Sequence, residues 1–310
     1  MQFVGEIISL AVAIFWTVTA LCFEYSSKKV GALPLNLIRL LMAFVMLGGL
    51  LFFVTGEIVP SNAGKNAWIW LSVSGLIGFV FGDFCLFKSY ILIGSRFTQL
   101  MMTLAPPSAA IAGSIILGEK LSNYSVLGMI VTLVGIIISI VGRNGEKWSI
   151  KLPLGGLLLA MGAGLGQGIG LVFSKLGMNF YQENISLINS SKESLNMIPF
   201  AASQIRIITG IVGFFILIVL TRNLRNFFNA FKVKKAMGVA AVGTFFGPFV
   251  GVAGSLMAVQ YTQTGIASTL MALTPIIILL PSSILYKQKI SYIEILGAFI
   301  SVVGVALFFL

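Results

Sequence analysis

The sequence has no histidine, one aspartate (Asp83) and two cysteines (Cys22 and Cys85) among its 310 residues. These absences exclude a serine–histidine protease, an aspartyl protease with its two carboxylates, and a histidine-rich metal site. Both cysteines lie in apolar segments, so we interpret them as small buried hydrophobic residues and not as a disulfide framework. We expect no enzymatic activity, no catalytic residue, no cofactor and no bound metal.

Charged residues are also scarce, at 9% of the chain. A soluble domain carries roughly a quarter charged residues, because its surface faces water. With 58% hydrophobic residues and a mean hydropathy of +1.03, the chain is predicted to be an integral membrane protein. Its net charge of +11 comes from basic residues at the ends of apolar runs, where lipid headgroups lie, so nucleic acid is not an expected partner.

Long apolar runs fill most of the chain, and helices of about 20 residues cross a bilayer core. The predicted class is therefore an all-α polytopic membrane protein. Most connections are short, but the polar stretch 177–200 is predicted to form an exposed loop. Ten spans are predicted, at roughly 4–23, 34–54, 68–87, 96–117, 123–142, 153–175, 201–221, 236–260, 264–286 and 291–310.

One phrase recurs after 169 residues: MTLAP at 102–106 returns as MALTP at 271–275. At the same offset Gly78 matches Gly247, and further glycines and turn residues follow in order. Each copy holds five predicted spans, and an odd number inserts the second copy upside down. Two inverted five-helix repeats of this kind are typical of secondary transporters, whose substrate site lies near the midplane between the halves. The copies are predicted at residues 1–145 and 152–310.

The chain resembles the EamA-type members of the drug/metabolite transporter superfamily. The resemblance rests on GLIGFVFGDF and LMMTLAPPSAAIAGSIILGEKLS in the first copy, and on GTFFGPFVGV and LMALTPIIILLPSSILYKQKIS in the second. It implies ten helices in two inverted repeats and transport of small metabolites. The second copy departs from the family pattern, because YKQKIS stands where such proteins commonly carry Gly-Glu before the last helix.

Asp83 is the leading candidate for a substrate-binding residue. It lies well inside the third span, where an ionised carboxylate is costly unless it is paired or faces water. Its counterpart in the second copy is Val252, so the repeat scaffold does not require the acid. It could bind a substrate ammonium or carry a coupling proton; the alternative is a structural pair with Arg39, Arg206 or Lys88.

Arg39 and Arg206 occupy matching positions, in NLIRLLMAF and SQIRIITGI. Guanidinium groups suit carboxylates and phosphates, so a pair facing the cavity would favour anionic or zwitterionic substrates. The alternative is that both side chains extend to lipid headgroups.

Seven further residues complete the predicted site. Gln167 needs hydrogen-bond partners inside the membrane, and Trp16 lies at the matching place in the first span, so the two are predicted on opposite cavity walls. Prolines inside spans four and nine predict kinks that could act as hinges or gates, with threonines nearby as possible substrate ligands. The residues are Pro106, Pro107 and Pro275 for the hinges, and Thr103 and Thr274 for the ligands.

The favoured function is a secondary transporter for a small metabolite, such as an amino acid or a drug-like amphipathic compound, that works by alternating access in the inner membrane of a bacterial-type cell. The expected partners are the substrate and membrane lipids, and the expected state is a monomer. The alternatives are a lipid-translocating or accessory membrane protein and, less favoured, an intramembrane enzyme. The direction of transport and the coupling ion stay open.

Two arguments on orientation disagree. The connections on one side of the predicted spans hold 14 of the 20 lysines and arginines, Arg96 among them, and those on the other side hold 4. The excess of positive charge predicts that the richer side is cytoplasmic and that both termini lie outside. The family resemblance suggests cytoplasmic termini instead.

Overall fold

A computed structural model describes residues 3–118, 123–141, 152–187, 192–262, 267, 270–286 and 290–307. In these ranges every regular element is helical. Six helical runs are long and apolar enough to cross a membrane, and three shorter apolar helices accompany them, as the composition predicts for a polytopic membrane protein. The count of ten spans and their opposite senses stay predictions at this point.

The α-helices, numbered in chain order, are separated in places by short 3₁₀ or π segments. Three 3₁₀ or π segments lie in the first half, at Ser61–Ala63, Leu76–Asp83 and Met102–Leu104, and one π segment lies in the second half, at Phe245–Phe249. The α-helices are α1 (Val4–Val30), α2 (Ala32–Thr55), α3 (Gly64–Gly75), α4 (Phe84–Met101), α5 (Ala105–Ile116), α6 (Asn123–Val141), α7 (Leu154–Leu187), α8 (Lys192–Leu220), α9 (Leu224–Ala230), α10 (Lys234–Thr244), α11 (Val250–Tyr261), α12 (Thr274–Ile277), α13 (Leu279–Tyr286) and α14 (Tyr292–Ala306).

The exposed loop predicted at 177–200 is wrong. Helix α7 continues to Leu187 and α8 begins at Lys192, and residues 188–191 lie outside the described ranges. Beyond the apolar part of α7, Tyr181 and Ile185 are buried one turn apart, whereas Gln182 and Glu183 between them are exposed. This spacing lets an amphipathic helix extend past the hydrocarbon core, so polar composition alone did not indicate a loop.

The third and fourth predicted spans belong to one continuous helical run, Ser61–Ile116. The chain changes direction within this run at Gly94, whose φ of 81° lies in the left-handed region that glycine adopts without steric cost. A sharp bend therefore needs no polar loop at this position.

The two π segments begin at equivalent positions of the two copies, Leu76 and Phe245, which are 169 residues apart. Wide turns of this kind release backbone groups from the regular helical pattern and are frequent at functional sites. A π segment thus occurs at the equivalent position in each half.

The first helix of each half packs against the other half. Helix α7 approaches the first π segment closely, because both Gly78 and Gly170 lack side chains, and Ser74 Oγ donates to Gly170 O at 2.6 Å. In the same way Thr19 of α1 packs against Gly247 of the second π segment and donates from Oγ1 to a nearby carbonyl at 3.3 Å. The main apolar core draws on both halves, so the two copies are interlocked and are not separate domains.

Helices α6 and α14 meet through reciprocal contacts. Gly135 lies against Ser301, and Gly304, its counterpart, lies against Thr132, the counterpart of Ser301. Thr132 Oγ1 donates to Ser301 O at 3.3 Å, a bond between two equivalent positions. A contact in which residue i meets j and the copy of j meets the copy of i is what a two-fold axis produces.

Adding one methyl group at this contact tests its tightness. A Cβ at Gly135 would overlap the backbone of Ser301, which cannot rotate away. Gly135→Ala is expected to lower the free energy of unfolding by about 1–3 kcal/mol. The measurement is unfolding of the purified protein in detergent, followed by circular dichroism.

The matched control is Gly49→Ala, since a Cβ there meets nothing within 4 Å inside helix α2. Alanine favours helix over glycine, so this variant is expected to be neutral or more stable by up to about 1 kcal/mol. Equal behaviour of the two variants would show that α6 and α14 are not packed this closely.

Candidate functional site

A cavity lies where the two halves meet, lined by side chains from helices of both. The cavity volume that the centres of water molecules can occupy is about 150 Å³, roughly ten times the volume that one water needs. Its walls include all seven residues predicted to bind substrate, which the structure brings together from seven different helical elements. They are Trp16, Arg39, Asp83, Thr103, Gln167, Arg206 and Thr274.

The prolines predicted as hinges lie at helix starts. Pro106 and Pro107 open α5, and Pro275 opens α12, so their missing amide donors fall in the first turn, where no intrahelical partner is needed. Pro106 and Pro275 line the cavity, whereas Pro107 is buried beside it. Their role as hinges or gates stays a prediction.

Two side chains bind the Asp83 carboxylate. Arg39 Nη2 forms an ion pair with Asp83 Oδ2, and Gln167 Nε2 donates to Asp83 Oδ1 at 2.7 Å. Asn36 positions the pair, because its Oδ1 accepts from Arg39 Nε at 3.0 Å. Among the alternatives for Asp83, the structure thus has the pair with Arg39, and Lys88 is exposed away from it. Both carboxylate oxygens have a donor.

Aromatic rings enclose the Arg39 guanidinium. Its Cζ lies 4.7 Å from the ring centroid of Phe87, 5.6 Å from that of Phe23 and 5.8 Å from that of Phe79. Ring faces attract a cation and exclude water, so Arg39 is held at membrane depth without reaching headgroups.

Arg206 is equally buried, with 4% of its surface exposed, but it has a different environment. Its Cζ lies 4.7 Å from the centroid of Phe79, the ring that it shares with Arg39. To the other described residues it makes no hydrogen bond or ion pair, and its buried Nε is without an acceptor. Among the described residues, the charged ones that line the cavity are Arg39, Arg206 and Asp83, which leaves this set with one more positive than negative charge.

Gln167 contacts the π segment of the opposite half, and Trp16 contacts Gly251, which follows the π segment of the other half at the start of α11. Gln167 Nε2 donates to Gly78 O at 3.1 Å and approaches Gly82. The Trp16 indole lies at the equivalent place against Gly251, where an added Cβ would be 3.1 Å from Nε1. These matching contacts place one amide and one aromatic ring in equivalent positions of the cavity wall.

The cavity also contains a polar pair that the sequence reasoning missed. Gln99 Nε2 donates to Tyr90 Oη at 2.7 Å, and both residues are buried and line the cavity. A signal was available, because Gln99 is an amide inside a predicted span, as Gln167 is. The predicted ligands Thr103 and Thr274 donate to backbone carbonyls of their own helices at 2.7 and 2.8 Å, so each hydroxyl is left to accept from a ligand.

A second polar cluster joins α1, α4 and α14 beyond the cavity. Glu24, 1% exposed, accepts from Ser95 N at 2.8 Å and forms an ion pair with Lys28. The adjacent Arg96 pairs with Glu294, and both are buried. Counting Arg96 as a loop cation was therefore wrong, because the turn at Gly94 places it inside the bundle. We name Glu24, Lys28, Ser95, Arg96 and Glu294 the end cluster.

Comparison with known proteins agrees with this architecture. The family model described as the EamA-like transporter family matches residues 3–141 and 154–310. One similar solved structure carries the description "crystal structure of protein", which names no activity. It superposes with a TM-score of 0.63 at 15% sequence identity, and the match covers 98% of this chain and 94% of the other. At that identity the likeness concerns the fold alone. The search of curated proteins found no match.

Proposed function

Since the chain belongs to the EamA-like transporter family, whose members are drug and metabolite transporters, we propose that it is a secondary transporter that moves a small metabolite by alternating access. The cavity between the two halves carries this proposal. It is enclosed by lipid-facing helices, yet it holds two arginines, an aspartate and two amides, which are costly in a membrane unless they contact a polar solute or each other.

We further propose that the halves are inverted repeats with ten spans in all. The reciprocal contact of α6 with α14 and the equivalent π segments support a two-fold axis between the copies. Five spans in each copy would make that axis lie in the membrane plane, with the cavity on it. Residues 1–145 and 152–310 are then the two interlocked repeats of a monomer in the inner membrane of a bacterial-type cell.

Alternating access requires that the bundle opens at one end of the cavity at a time. The end cluster ties α1 to α4 through Glu24 and Ser95, and ties α4 to α14 through Arg96 and Glu294. These contacts would have to separate when the cavity opens at that end. Because they are polar, they can be exchanged for contacts with water. The apolar contacts between the same helices, such as that of Phe97 with the cluster that includes Ala298, would have to separate as well.

The proposal is tested by transport in liposomes. Purified protein in liposomes, offered pools of radiolabelled amino acids and other metabolites with and without a proton gradient, is expected to accumulate at least one pool above empty liposomes. Asp83→Asn keeps the size of the side chain but removes the charge that pairs with Arg39. We expect it to reduce uptake roughly tenfold or more while the protein stays folded.

Gly49→Ala serves again as the control and should transport as the natural sequence does, since a Cβ added at Gly49 would meet no other part of the protein within 4 Å. Absence of uptake for every pool, together with movement of fluorescent lipids between leaflets, would replace the proposal with lipid translocation. Full uptake by Asp83→Asn would remove Asp83 from the mechanism.

A further inference from the structure

The two arginines of the cavity are equivalent by sequence but not by environment. Arg39 has two acceptors in its own half, the side-chain oxygen of Asn36 and the carboxylate of Asp83. Asn36 is three residues before Arg39 on α2, and Asp83 ends the first π segment. Together they compensate the charge and bind the guanidinium edge.

The equivalent acceptors are missing around Arg206. Three residues before it stands Ser203, whose hydroxyl donates to Pro199 O at 2.8 Å, and Arg206 Nε has no acceptor there. In place of Asp83 stands Val252, which lines the cavity with an apolar side chain. The second half thus repeats the arginine and lacks both groups that bind it in the first half.

A buried cation without an acceptor is unfavourable in a membrane protein, and such residues usually face a bundle interior or pathway. Arg206 is 4% exposed and lines the cavity. The nearby carboxylate of Asp83 is paired with Arg39, so Arg206 forms no ion pair of its own with the described residues. Phe79 covers one face of the guanidinium, which leaves the edge with the N–H donors for a partner from within the cavity.

We propose that Arg206 binds the anionic group of the substrate, and that the substrate is a small organic acid with one carboxylate or phosphate and an apolar body. That this ligand is a substrate rests on the proposed transport function. The guanidinium edge suits either oxyanion through paired N–H donors. The apolar body would lie against the ring of Phe79 and the side chains of Trp16, Leu171 and Val252, which also line the cavity.

The same contacts disfavour a cationic or zwitterionic substrate. A substrate ammonium would need a carboxylate, and the carboxylate that lines the cavity already accepts from Arg39 and Gln167 at its two oxygens. An ammonium there would compete with Arg39 for the same carboxylate, whereas an anion at Arg206 displaces no existing hydrogen bond or ion pair of that arginine with the described residues. The net positive charge of the cavity acts in the same direction.

The test is ligand binding to the purified protein in detergent, read as a shift of the melting temperature and as a dissociation constant from calorimetry. The probes are matched sets on aryl and alkyl bodies: 3-phenylpropanoate, its amide, its amine and phenyl phosphate, and hexanoate with its amide and amine. At least one acid is expected to bind roughly tenfold or more tightly than its amide and its amine. Comparing carboxylates with phenyl phosphate then identifies the oxyanion.

Arg206→Gln should weaken binding of that acid roughly 10- to 100-fold, which is the range expected for losing a hydrogen bond to a charged group. Arg225→Gln, a matched change at an exposed arginine of α9, should leave binding unchanged. Without ligand, Arg206→Gln should raise the melting temperature, because it removes an uncompensated buried charge. An arginine with a purely structural role would give a lower melting temperature.

Several results would overturn the inference. These are acids binding no better than amides throughout the panel, amines binding best, chloride or inorganic phosphate competing as well as the organic acids, or Arg206→Gln binding acids normally. The assay needs neither a membrane nor a gradient. Acid binding without transport would therefore count against the proposed function alone, and transport of cations without acid binding would count against this inference alone.

Discussion

Arg39→Gln is expected to lower the free energy of unfolding by about 3–5 kcal/mol and to abolish transport. Asp83 is 4% exposed, so the substitution leaves a buried carboxylate. Among the described side chains, Gln167 is then the remaining donor to it. Removing one partner of a buried pair costs more than the pair contributes, because the other charge stays behind unpaired. Unfolding in detergent and uptake in liposomes measure the two effects.

The double variant Arg39→Gln with Asp83→Asn distinguishes a coupled pair from two independent residues. Removing both charges leaves no unpaired ion, so most of the lost stability should return, and the coupling energy of the double-mutant cycle should be large. Transport should stay absent, because the cavity has lost the pair that fixes its polar wall. Additive effects of the two single variants on stability would contradict the pairing.

The general plan of this protein could be predicted from the sequence because it depends on composition and on repetition. Few charges and long apolar runs dictate a helical membrane protein, and a fixed offset of 169 residues relates equivalent positions. The polar residues inside the runs, among them Asp83 and Gln167, identify the cavity wall by the same logic. A polar side chain inside an apolar helix is unfavourable unless it has a polar partner or faces water, and here these side chains line a shared cavity.

The partners of these residues could not be predicted, because they depend on how helices cross. The pair of Arg39 with Asp83 joins residues 44 positions apart, and no spacing rule selects Arg39 over Arg206. The buried pair of Arg96 and Glu294 was missed for a related reason. Arg96 lies beside a glycine that can reverse the chain without a loop, and sequence alone places such a residue at the membrane surface.

The loop predicted at 177–200 failed on a different physical point. A polar composition does not require an irregular backbone, because a helix that extends beyond the membrane still buries one face. Tyr181 Oη donates to Asn62 Oδ1 at 2.7 Å, and Asn184 Nδ2 donates to Asn62 O at 2.9 Å, so polar residues also fasten α7 to the first half. The periodicity of the buried residues was the better guide to structure.

Val252→Asp is expected to remove acid binding and transport by supplying Arg206 with the carboxylate that Arg39 already has. Val252 holds the position equivalent to Asp83, and both Val252 and Arg206 line the cavity. The new ion pair would neutralise the uncompensated charge, so affinity for the best organic acid should fall roughly 100-fold while the unliganded protein stays as stable as before. Calorimetry and thermal unfolding of the same sample provide both measurements.

Two companion variants separate pairing from mere bulk or polarity at this position. Val252→Asn adds a neutral side chain of similar size and should keep part of the acid binding, because it cannot neutralise the guanidinium. Val252→Asp combined with Arg206→Gln should unfold more easily than either single variant, since it leaves the new carboxylate buried without a cation. If Val252→Asp instead bound acids as the natural sequence does, Arg206 would not be the group that an anion contacts, and the asymmetry between the two arginines would need another explanation.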